Sequence, residues 1–424
     1  MIKRLLQSVK EYKKASILTP ICMILEVAME IIIPFLLAIL IDEGVTQNDM
    51  NVILKIGIGL LIVAFLSLFF GVQSGKFAAI AAAGFAKNLR QDMYEKVQKY
   101  SFFNIDKFST SSIVTRLTTD VTNVQQAFMM VIKGAVRAPI TIIFAMIMSF
   151  TINAKIALIF LIASPILGGL LIWIAKVAHP IFERVFNTYD KLNNVVQENV
   201  KGIRVVKSFA KEEKEVEKFK KVSQSIYKDF SRAEMILALN NPLMQFTIYT
   251  CITLISWFGA KFIVGSTLTT GELTSLISYA MQILFSLMLL SMVFVMVTMA
   301  LESAKRIVEL LEEVPDLKNP DRPIMEVKDG SIEFKDVSFS YVKDKSKLCL
   351  KNINLKIEAG QTIGIIGGTG SSKSTLVQLI PRLYDVSQGE VKVGGFDVKN
   401  YDIKTLSDAV SIVLQKNELF SGTI

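Results

Sequence analysis

The sequence has few of the residues on which metal and disulfide chemistry depend. Its 424 residues include one histidine and three cysteines. Cys22, Cys251 and Cys349 lie far apart without metal-ligand spacing, and the first two lie in apolar runs, where a reduced thiol behaves as a small hydrophobe. His179 has no serine or cysteine motif beside it. The sequence therefore predicts no zinc site, no disulfide framework and no histidine-based catalytic triad.

Charged residues are also scarce. They make up 20% of the chain, whereas 51% of the residues are hydrophobic. A water-soluble protein of this length seldom has such a composition, which instead predicts a protein in a lipid bilayer. The net charge of +9 comes from Lys and Arg scattered beside apolar stretches. This distribution is typical of membrane orientation, so no nucleic-acid partner is predicted.

Six apolar stretches are long enough to cross a bilayer, which takes about 20 residues. They are residues 15–41, 52–82, 129–151, 155–178, 236–263 and 272–300. The connections 83–128 and 179–235 are long, rich in Lys and Arg, and poor in Gly and Pro, so they are predicted to be continuous helices that project from the membrane. The other three connections are short and hold few positive charges. By the positive-inside rule, the long segments are cytoplasmic and the short loops external.

The two ends of the membrane part have their own patterns. Residues 1–14 form a basic amphipathic segment, which predicts an interfacial helix on the cytoplasmic side. The apolar run that follows is too long for a signal peptide and has no small-residue cleavage site, so no cleavage is expected. Residues 302–313 form a charged amphipathic helix that ends the membrane domain, residues 15–313, and residues 314–325 form a proline-containing linker.

From residue 326 onward, short alternating runs such as Ser331–Phe339 and Cys349–Ile357 predict β-strands of a soluble α/β domain. Its strongest motif is TIGIIGGTGSSKSTL, residues 362–376. The strand-like run Thr362–Ile366 leads into a glycine-rich loop, and Lys373 opens a helical run. This is the strand, loop and helix order of a phosphate-binding loop.

Phosphate chemistry gives each part of this loop a role. Backbone N–H groups and the helix start attract phosphate oxygens, Lys373 can reach the β- and γ-phosphates, and the Ser374 hydroxyl can bind Mg²⁺. The predicted cofactors are ATP or a related nucleotide and Mg²⁺; a purely structural glycine-rich turn is the alternative. The predicted nucleotide-binding residues of the loop are Gly367, Gly368, Thr369, Gly370, Ser371, Ser372, Lys373, Ser374 and Thr375.

Ser372 departs from the usual pattern, which has glycine immediately before the lysine. Its Cβ could crowd the phosphate or strain a backbone angle that glycine adopts freely, at a cost of about 1–3 kcal/mol. The sequence therefore predicts weakened nucleotide binding.

The order of these features resembles the half-transporter of an ATP-binding cassette (ABC) exporter, and the resemblance extends over essentially the whole chain. Residues 111–121 and 198–209 resemble its two intracellular-loop signatures, and residues 382–385 resemble the segment that follows its phosphate-binding helix. The fold implied is a six-helix transmembrane domain with long cytoplasmic helical extensions, followed by an incomplete α/β P-loop nucleotide-binding domain, residues 326–424.

The resemblance also implies roles for single residues. Tyr341 matches the aromatic residue that stacks on adenine, and Gln415 matches the glutamine that senses Mg²⁺ and the γ-phosphate, so Ser374 and Gln415 are the predicted Mg²⁺ ligands. Short coupling helices are expected at the tips of the cytoplasmic arms, near 102–110 and 206–211.

The activity implied is ATP-driven export of amphiphilic drug-like or lipid-like molecules by a dimer. The motifs are most similar to one subunit of bacterial heterodimeric multidrug exporters, which implies a second half-transporter as partner, a location in the cell membrane, and a cytoplasmic N-terminus and nucleotide-binding domain.

Nothing in the sequence resembles the family's signature motif, Walker B strand or switch histidine. The chain is therefore expected not to hydrolyse ATP alone. A subunit that binds nucleotide and acts only through a partner, and a non-functional gene fragment, are the alternatives.

Charged residues within the apolar stretches indicate a second candidate site. Glu26 and Glu30 lie four residues apart in the first stretch, and Lys133 and Arg137 have the same spacing in the third. Ionised groups at this depth face the bundle interior and find partners. The two glutamates either line a substrate cavity that favours cationic amphiphiles or pair with a basic residue and hold the helices together. The sequence leaves both interpretations open.

Overall fold

The computed structural model describes residues 1–342 and 347–413, apart from the side chains of residues 186, 187 and 190. Most of the chain before residue 313 is helical. The helices of this part are α1 (Ile2–Gln7), α2 (Lys13–Ile39), α3 (Met50–Gln98), α4 (Phe102–Phe108), α5 (Thr110–Thr115), α6 (Val121–Ile152), α7 (Ala154–Lys201), α8 (Ile203–Ser208), α9 (Glu212–Ala238), α10 (Asn240–Val264) and α11 (Thr270–Glu312). Short 3₁₀ or π-helical segments lie at Lys10–Tyr12, Leu40–Val45 and Arg116–Asp120.

Six helical segments of the described chain are long and apolar enough to cross a membrane. They are Lys10–Val45, Met50–Gln98, Thr110–Ile152, Ala154–Val185, Glu212–Val264 and Thr270–Glu312. Each contains one of the apolar stretches predicted from the sequence, so the prediction of six spans is confirmed. A helix satisfies its backbone hydrogen bonds within the segment, which is what a span without access to water requires.

The two long arms differ from the continuous helices that were predicted. The first is interrupted after Gln98, where a capping box starts α4: the Ser101 hydroxyl accepts a bond from the Asn104 backbone N–H, and the Asn104 side chain accepts one from the Ser101 N–H. This reciprocal pairing satisfies donors that a helix start leaves open. The second arm is interrupted at Gly202, before α8. The short helices α4 and α8 therefore lie at or next to the tips predicted for the coupling helices.

The chain forms two compact units, each described by itself. The larger one comprises Leu6–Asn88 and Thr122–Ser303 and holds most of the six spans. Its core includes Met23, Phe160 and Ile255. Polar side chains also join its first and last spans: the Tyr279 hydroxyl donates to the Ile31 carbonyl at 2.8 Å.

The smaller unit comprises Met1–Leu5, Leu89–Val121 and Ala304–Ile424. Its antiparallel sheet has four strands in the order β2-β1-β3-β4. The strands are β1 (Ile332–Phe339), β2 (Leu350–Ile357), β3 (Gln388–Val393) and β4 (Phe396–Asp397), and the helices of this region are α12 (Lys373–Gln378) and α13 (Ile403–Ala409). The first two strands agree with the predicted runs. Phe334, Val391 and Tyr401 are buried in the core behind the sheet. The domain limits drawn at residues 313 and 326 stay predictions.

Asp42 joins the end of the first span to the start of the last. Its carboxylate accepts a bond from the Thr269 hydroxyl at 2.5 Å and one from the Gly271 backbone N–H at 2.9 Å. A Cβ at Gly271 would overlap the Ala38 carbonyl oxygen and the Asp42 carboxylate. Only glycine fits this close approach of two helices.

We therefore expect Gly271→Ala to lower the thermal unfolding temperature in detergent. Overpacking of this kind costs about 1–3 kcal/mol. Gly59→Ala is the matched control, because a Cβ at Gly59 would meet nothing within 4 Å. Equal unfolding temperatures for the two variants would contradict the close approach at Gly271.

Candidate nucleotide-binding site

The glycine-rich loop leaves open space beside part of its backbone. A Cβ at Gly367 would lie 2.8 Å from the Ser371 hydroxyl oxygen, whereas the positions of Gly368 and Gly370 face open space. Gly370 has φ +85°, a conformation that L-residues rarely adopt. Gly367 is therefore required because a side chain would overlap Ser371, and Gly370 because of its backbone angle. The open space beside Gly368 and Gly370 leaves room for a phosphate group.

Lys373 is held at the loop. Its ammonium group donates to the carbonyl oxygens of Gly367 at 2.8 Å and Gly368 at 2.7 Å, and it lies 3.3 Å from the Ser371 hydroxyl oxygen. The positive charge thus lies over the loop, where it can exchange a carbonyl oxygen for a phosphate oxygen. Lys373 is also the first residue of α12, as the motif predicts.

Ser372 has φ +61° and ψ +24°, a left-handed backbone conformation. This is the strain that the sequence suggested, since a residue with a Cβ adopts this conformation at a cost of about 1–2 kcal/mol. The strained peptide immediately precedes Lys373, so it affects the part of the loop that would approach the phosphate.

Tyr341, the predicted adenine-stacking residue, lies at the end of β1 and is bonded to α12. Its hydroxyl donates to the Thr375 hydroxyl oxygen at 3.0 Å and lies 3.1 Å from the Gln378 side-chain oxygen. Its ring packs edge-to-face against Phe339, with ring centroids 4.8 Å apart. The structure therefore brings Tyr341 together with the helix that carries Lys373, Ser374 and Thr375.

The segment before the loop differs from the prediction. Thr362–Ile366 forms no β-strand, and the side chain of Ile366 is 98% exposed. A strand exists only where a neighbour pairs with its backbone, and no strand of the described chain lies beside this run. The prediction of a strand at Thr362–Ile366 is therefore wrong for this structure, because an apolar pattern does not by itself provide a neighbouring strand.

The predicted Mg²⁺ ligands are divided between described and undescribed parts of the chain. Ser374 lies on the exposed side of the first turn of α12, next to the loop. Gln415 lies outside the described residues, and its role stays a prediction. The described residues that suit a nucleotide with its Mg²⁺ are therefore the loop 367–372, Lys373, Ser374, Thr375 and Tyr341.

Two residues of this region have structural roles that sequence reasoning did not assign. Arg382 is buried and pairs with Asp385 at 2.9 Å. Tyr384, which lies between them in sequence, packs its ring against Tyr341 and donates its hydroxyl to Asp106 of α4 at 3.0 Å. In the sequence, residues 382–385 were noted only for their resemblance to the family. The partner of Tyr384, Asp106 on α4, lies 278 residues away, so no local sequence pattern predicts this bond.

An interface of ions and amides fixes α4 to the end of α11 within the smaller unit. Lys107 pairs with Glu313 at 2.7 Å, and the Asn104 amide donates to the same carboxylate at 3.0 Å. The bond from Lys107 lowers the pKa of Glu313 below its ordinary value. Nearby, Arg116 pairs with Glu309 at 2.8 Å. The end of α11 is thereby tied to the tip of the first arm.

Three charged side chains of the membrane part form a cluster. The Arg137 guanidinium forms ion pairs with two carboxylates, that of Glu26 at 2.7 Å and that of Glu30 at 2.6 Å. One Glu26 oxygen, Oε2, is buried without a hydrogen-bond partner among the described residues. The side chains of Glu26 and Glu30 are 13% and 31% exposed. Of the two interpretations left open by the sequence, pairing with a basic residue is present, with Arg137 as the partner; among the described residues Lys133 forms no ion pair. The interpretation that the two glutamates line a substrate cavity stays a prediction.

Comparison with known families agrees with this arrangement. Residues 16–288 match the family model of the ABC transporter transmembrane region, and residues 350–424 match a second family model, described as ABC transporter. The first match alone covers more than half of the chain. The chain belongs to the ABC transporter family.

Individual relatives support the same assignment for this ABC transporter. It is 31% identical to the ABC transporter ATP-binding protein YfiB of Bacillus subtilis over 423 residues, which are 100% of this chain and 74% of that protein. It is 30% identical to the ABC transporter ATP-binding protein Rv1273c of Mycobacterium tuberculosis, over 100% of this chain and 73% of that protein. An ATP-dependent lipid A-core flippase of Hahella chejuensis is 30% identical over 82% of this chain and 60% of that protein.

Glycine in place of Ser372 tests whether the strained peptide weakens nucleotide binding to this ABC transporter. A strained loop spends less time in the conformation that binds, and affinity falls with that fraction. We expect Ser372→Gly to bind Mg-ATP about fivefold to thirtyfold more tightly in a fluorescent-nucleotide titration, which corresponds to full relief of about 1–2 kcal/mol of strain. Ser371→Gly is the control, because Ser371 has no left-handed backbone to relieve. Equal affinities of Ser372→Gly and the unaltered chain would remove Ser372 as a cause of weak binding.

Proposed function

We propose that this chain is one half of a dimeric ABC exporter that moves amphiphilic small molecules across the cell membrane at the expense of ATP. The observation that carries the proposal is the presence, on one chain, of six spans in a matched transmembrane region and, in the second matched region, of a glycine-rich loop with open space beside its backbone. In this proposal the N-terminus and the nucleotide-binding region are cytoplasmic. The excess of Lys and Arg on the two long arms supports that orientation.

The nucleotide part of the proposal assigns roles to residues that lie close together. Loop 367–372 holds the phosphates through its backbone N–H groups, Lys373 neutralises their charge, and Ser374 binds Mg²⁺. Tyr341 stacks on adenine through its ring face, while its hydroxyl remains on Thr375 and Gln378. Gln415 completes the Mg²⁺ site.

The substrate part of the proposal rests on the membrane charge cluster and on the relatives. Two carboxylates around one guanidinium leave one excess negative charge, which favours a substrate with a single positive charge. Two relatives are named ATP-dependent lipid A-core flippases, of Hahella chejuensis and of Desulfotalea psychrophila. We therefore propose amphiphiles as the substrate class, with Glu30 as the residue that meets a cationic head group.

A second half-transporter is the proposed partner, and a heterodimer is favoured over a homodimer. The left-handed Ser372 supports this preference, because a subunit with a weakened phosphate loop relies on a partner with an intact one. The left-handed Ser372 also supports the second candidate function, in which the chain is a subunit that binds nucleotide without hydrolysing it.

Transport into inside-out membrane vesicles tests the proposed function. We expect Mg-ATP to drive uptake of a fluorescent amphiphile when this chain is expressed with a second half-transporter, and Lys373→Met to reduce that uptake at least about tenfold, because the phosphate charge is no longer neutralised. Uptake by the chain alone would favour a homodimer. Absence of uptake in both preparations, with the proteins folded in the membrane, would contradict the proposal.

Neutralising Glu30 tests the substrate site. Glu30→Gln removes the excess negative charge and leaves the pair of Arg137 with Glu26, so the helices remain joined. We expect affinity for a lipophilic monovalent cation to fall about tenfold, which corresponds to roughly 1.4 kcal/mol, while affinity for an uncharged amphiphile stays the same. Glu43→Gln is the matched control, since Glu43 is exposed at the end of the first span. Equal losses for charged and uncharged ligands would mean that Glu30 has only a structural role.

A further inference from the structure

Two isolated lysines lie at the end of the membrane part that is opposite to the long arms. Lys155 is the only basic residue between positions 138 and 175, and Lys261 is the only one between positions 233 and 304. Lys155 lies in the first turn of α7, and Lys261 lies in the last turn of α10. A lysine at the end of an apolar span lies at the level where lipid head groups begin.

Aromatic rings hold both ammonium groups. The Lys155 ammonium nitrogen lies 5.7 Å from the centroid of the Phe262 ring, and that of Lys261 lies 5.8 Å from the centroid of the Trp257 ring. Such distances give cation–π attraction. Phe262 packs against the core of the larger unit, so its ring fixes Lys155 of α7 beside the end of α10. Since Phe262 directly follows Lys261 in the sequence, the two lysines belong to one surface patch.

The charges of this lysine patch are not neutralised by the protein. In the part of the chain that the structure describes, Lys155 and Lys261 are exposed and form no ion pair. Two acidic residues at the same end of the spans are bonded elsewhere: Asp42 accepts from the Thr269 hydroxyl, and Glu272 accepts from the Thr269 backbone N–H. Two positive charges are therefore available to an anionic group from outside the protein.

Exposed apolar side chains continue from each lysine into its span, at spacings of three, four and seven residues that share one helix face. They are Leu158 and Ile162 on α7, and Leu254 and Trp257 on α10. Each helix thus presents a charge at the level of the head groups and an apolar stripe at the level of the acyl chains. An anionic phospholipid matches both parts, whereas a free phosphate ion matches only the charge.

We propose that Lys155 and Lys261 form a binding site for an anionic phospholipid of the surrounding bilayer. Its phosphate lies at the ammonium groups, and its acyl chains follow the apolar stripes of α7 and α10. One lysine near a charged membrane surface strengthens such binding about fivefold, and the indole ring of Trp257 adds an anchor at the level of the head groups. The site goes beyond the proposed function, because it requires neither nucleotide nor a transported molecule.

Quenching of Trp257 fluorescence by lipids with brominated acyl chains tests the site in the full chain in nanodiscs. The sequence has two tryptophans, so Trp173→Phe leaves Trp257 as the single reporter. We expect brominated phosphatidylglycerol to reach half-maximal quenching at a mole fraction at least about fivefold lower than brominated phosphatidylcholine does. Lys155→Gln and Lys261→Gln should each reduce this preference, and the double variant should abolish it.

Lys55→Gln is the matched control, because Lys55 is exposed near the start of α3 at the same end of the spans. It removes the same charge outside the patch and should keep the preference. Equal quenching by the two lipids before any lysine is changed would overturn the proposal, and so would a loss in Lys55→Gln equal to that in the double variant. Quenching by neither lipid would mean that protein covers this surface, and displacement of the lipid by inorganic phosphate would mean that the ligand is a free anion; either result would also overturn it.

Discussion

Backbone amide and carbonyl groups inside a bilayer must find their hydrogen bonds within the protein, and most features of this ABC transporter follow from that requirement. It explains why the six spans are helical over almost their whole length, although π-helical segments lie at Leu40–Val45 and Arg116–Asp120 and a turn at Leu239 separates α9 from α10. The breaks at Ser101 and Gly202 lie in the arms. Three ionised side chains inside the spans pair with one another. Arg137 bonds to both Glu26 and Glu30, so this cluster contains two carboxylates and one guanidinium, and the proposed binding of a cationic head group rests on that excess of carboxylates.

Outside the spans, polar contacts fix the positions of the segments near the proposed nucleotide site. The capping box at Ser101 starts α4, and the bonds from Asn104 and Lys107 to Glu313 fix that helix to the end of α11. Exposed ion pairs contribute little singly, but here amide and ammonium donors share one carboxylate, and Asn104 is buried. Tyr384 adds the connection from this interface to the phosphate-binding helix. Packed and hydrogen-bonded side chains thus connect the phosphate-binding helix α12 with α4.

Local patterns predicted the parts of the structure that depend on local chemistry. Apolar length located the six spans, alternation located β1 and β2, and the Gly-rich pattern located the loop and the start of α12 at Lys373. The identity of Ser372 even predicted its strained backbone, because the motif requires glycine there.

The predictions of features that depend on distant partners were wrong, or such features were not predicted at all. Thr362–Ile366 has the composition of a strand but lacks a described neighbour, and neither the Tyr384 bond to Asp106 nor the choice of Arg137 over Lys133 by the two glutamates has a local signal. Gln415 stays a prediction from resemblance.

The proposed function depends most on nucleotide occupying the space between Tyr341 and the loop before Lys373. Photolabelling with an azido-ATP probe, followed by peptide mapping of the labelled chain, measures this occupancy directly. We expect Mg²⁺-dependent labelling of the peptide that contains Tyr341, with competition by unlabelled ATP and loss of labelling in Lys373→Met. Labelling that falls elsewhere, or that persists undiminished in Lys373→Met, would contradict it.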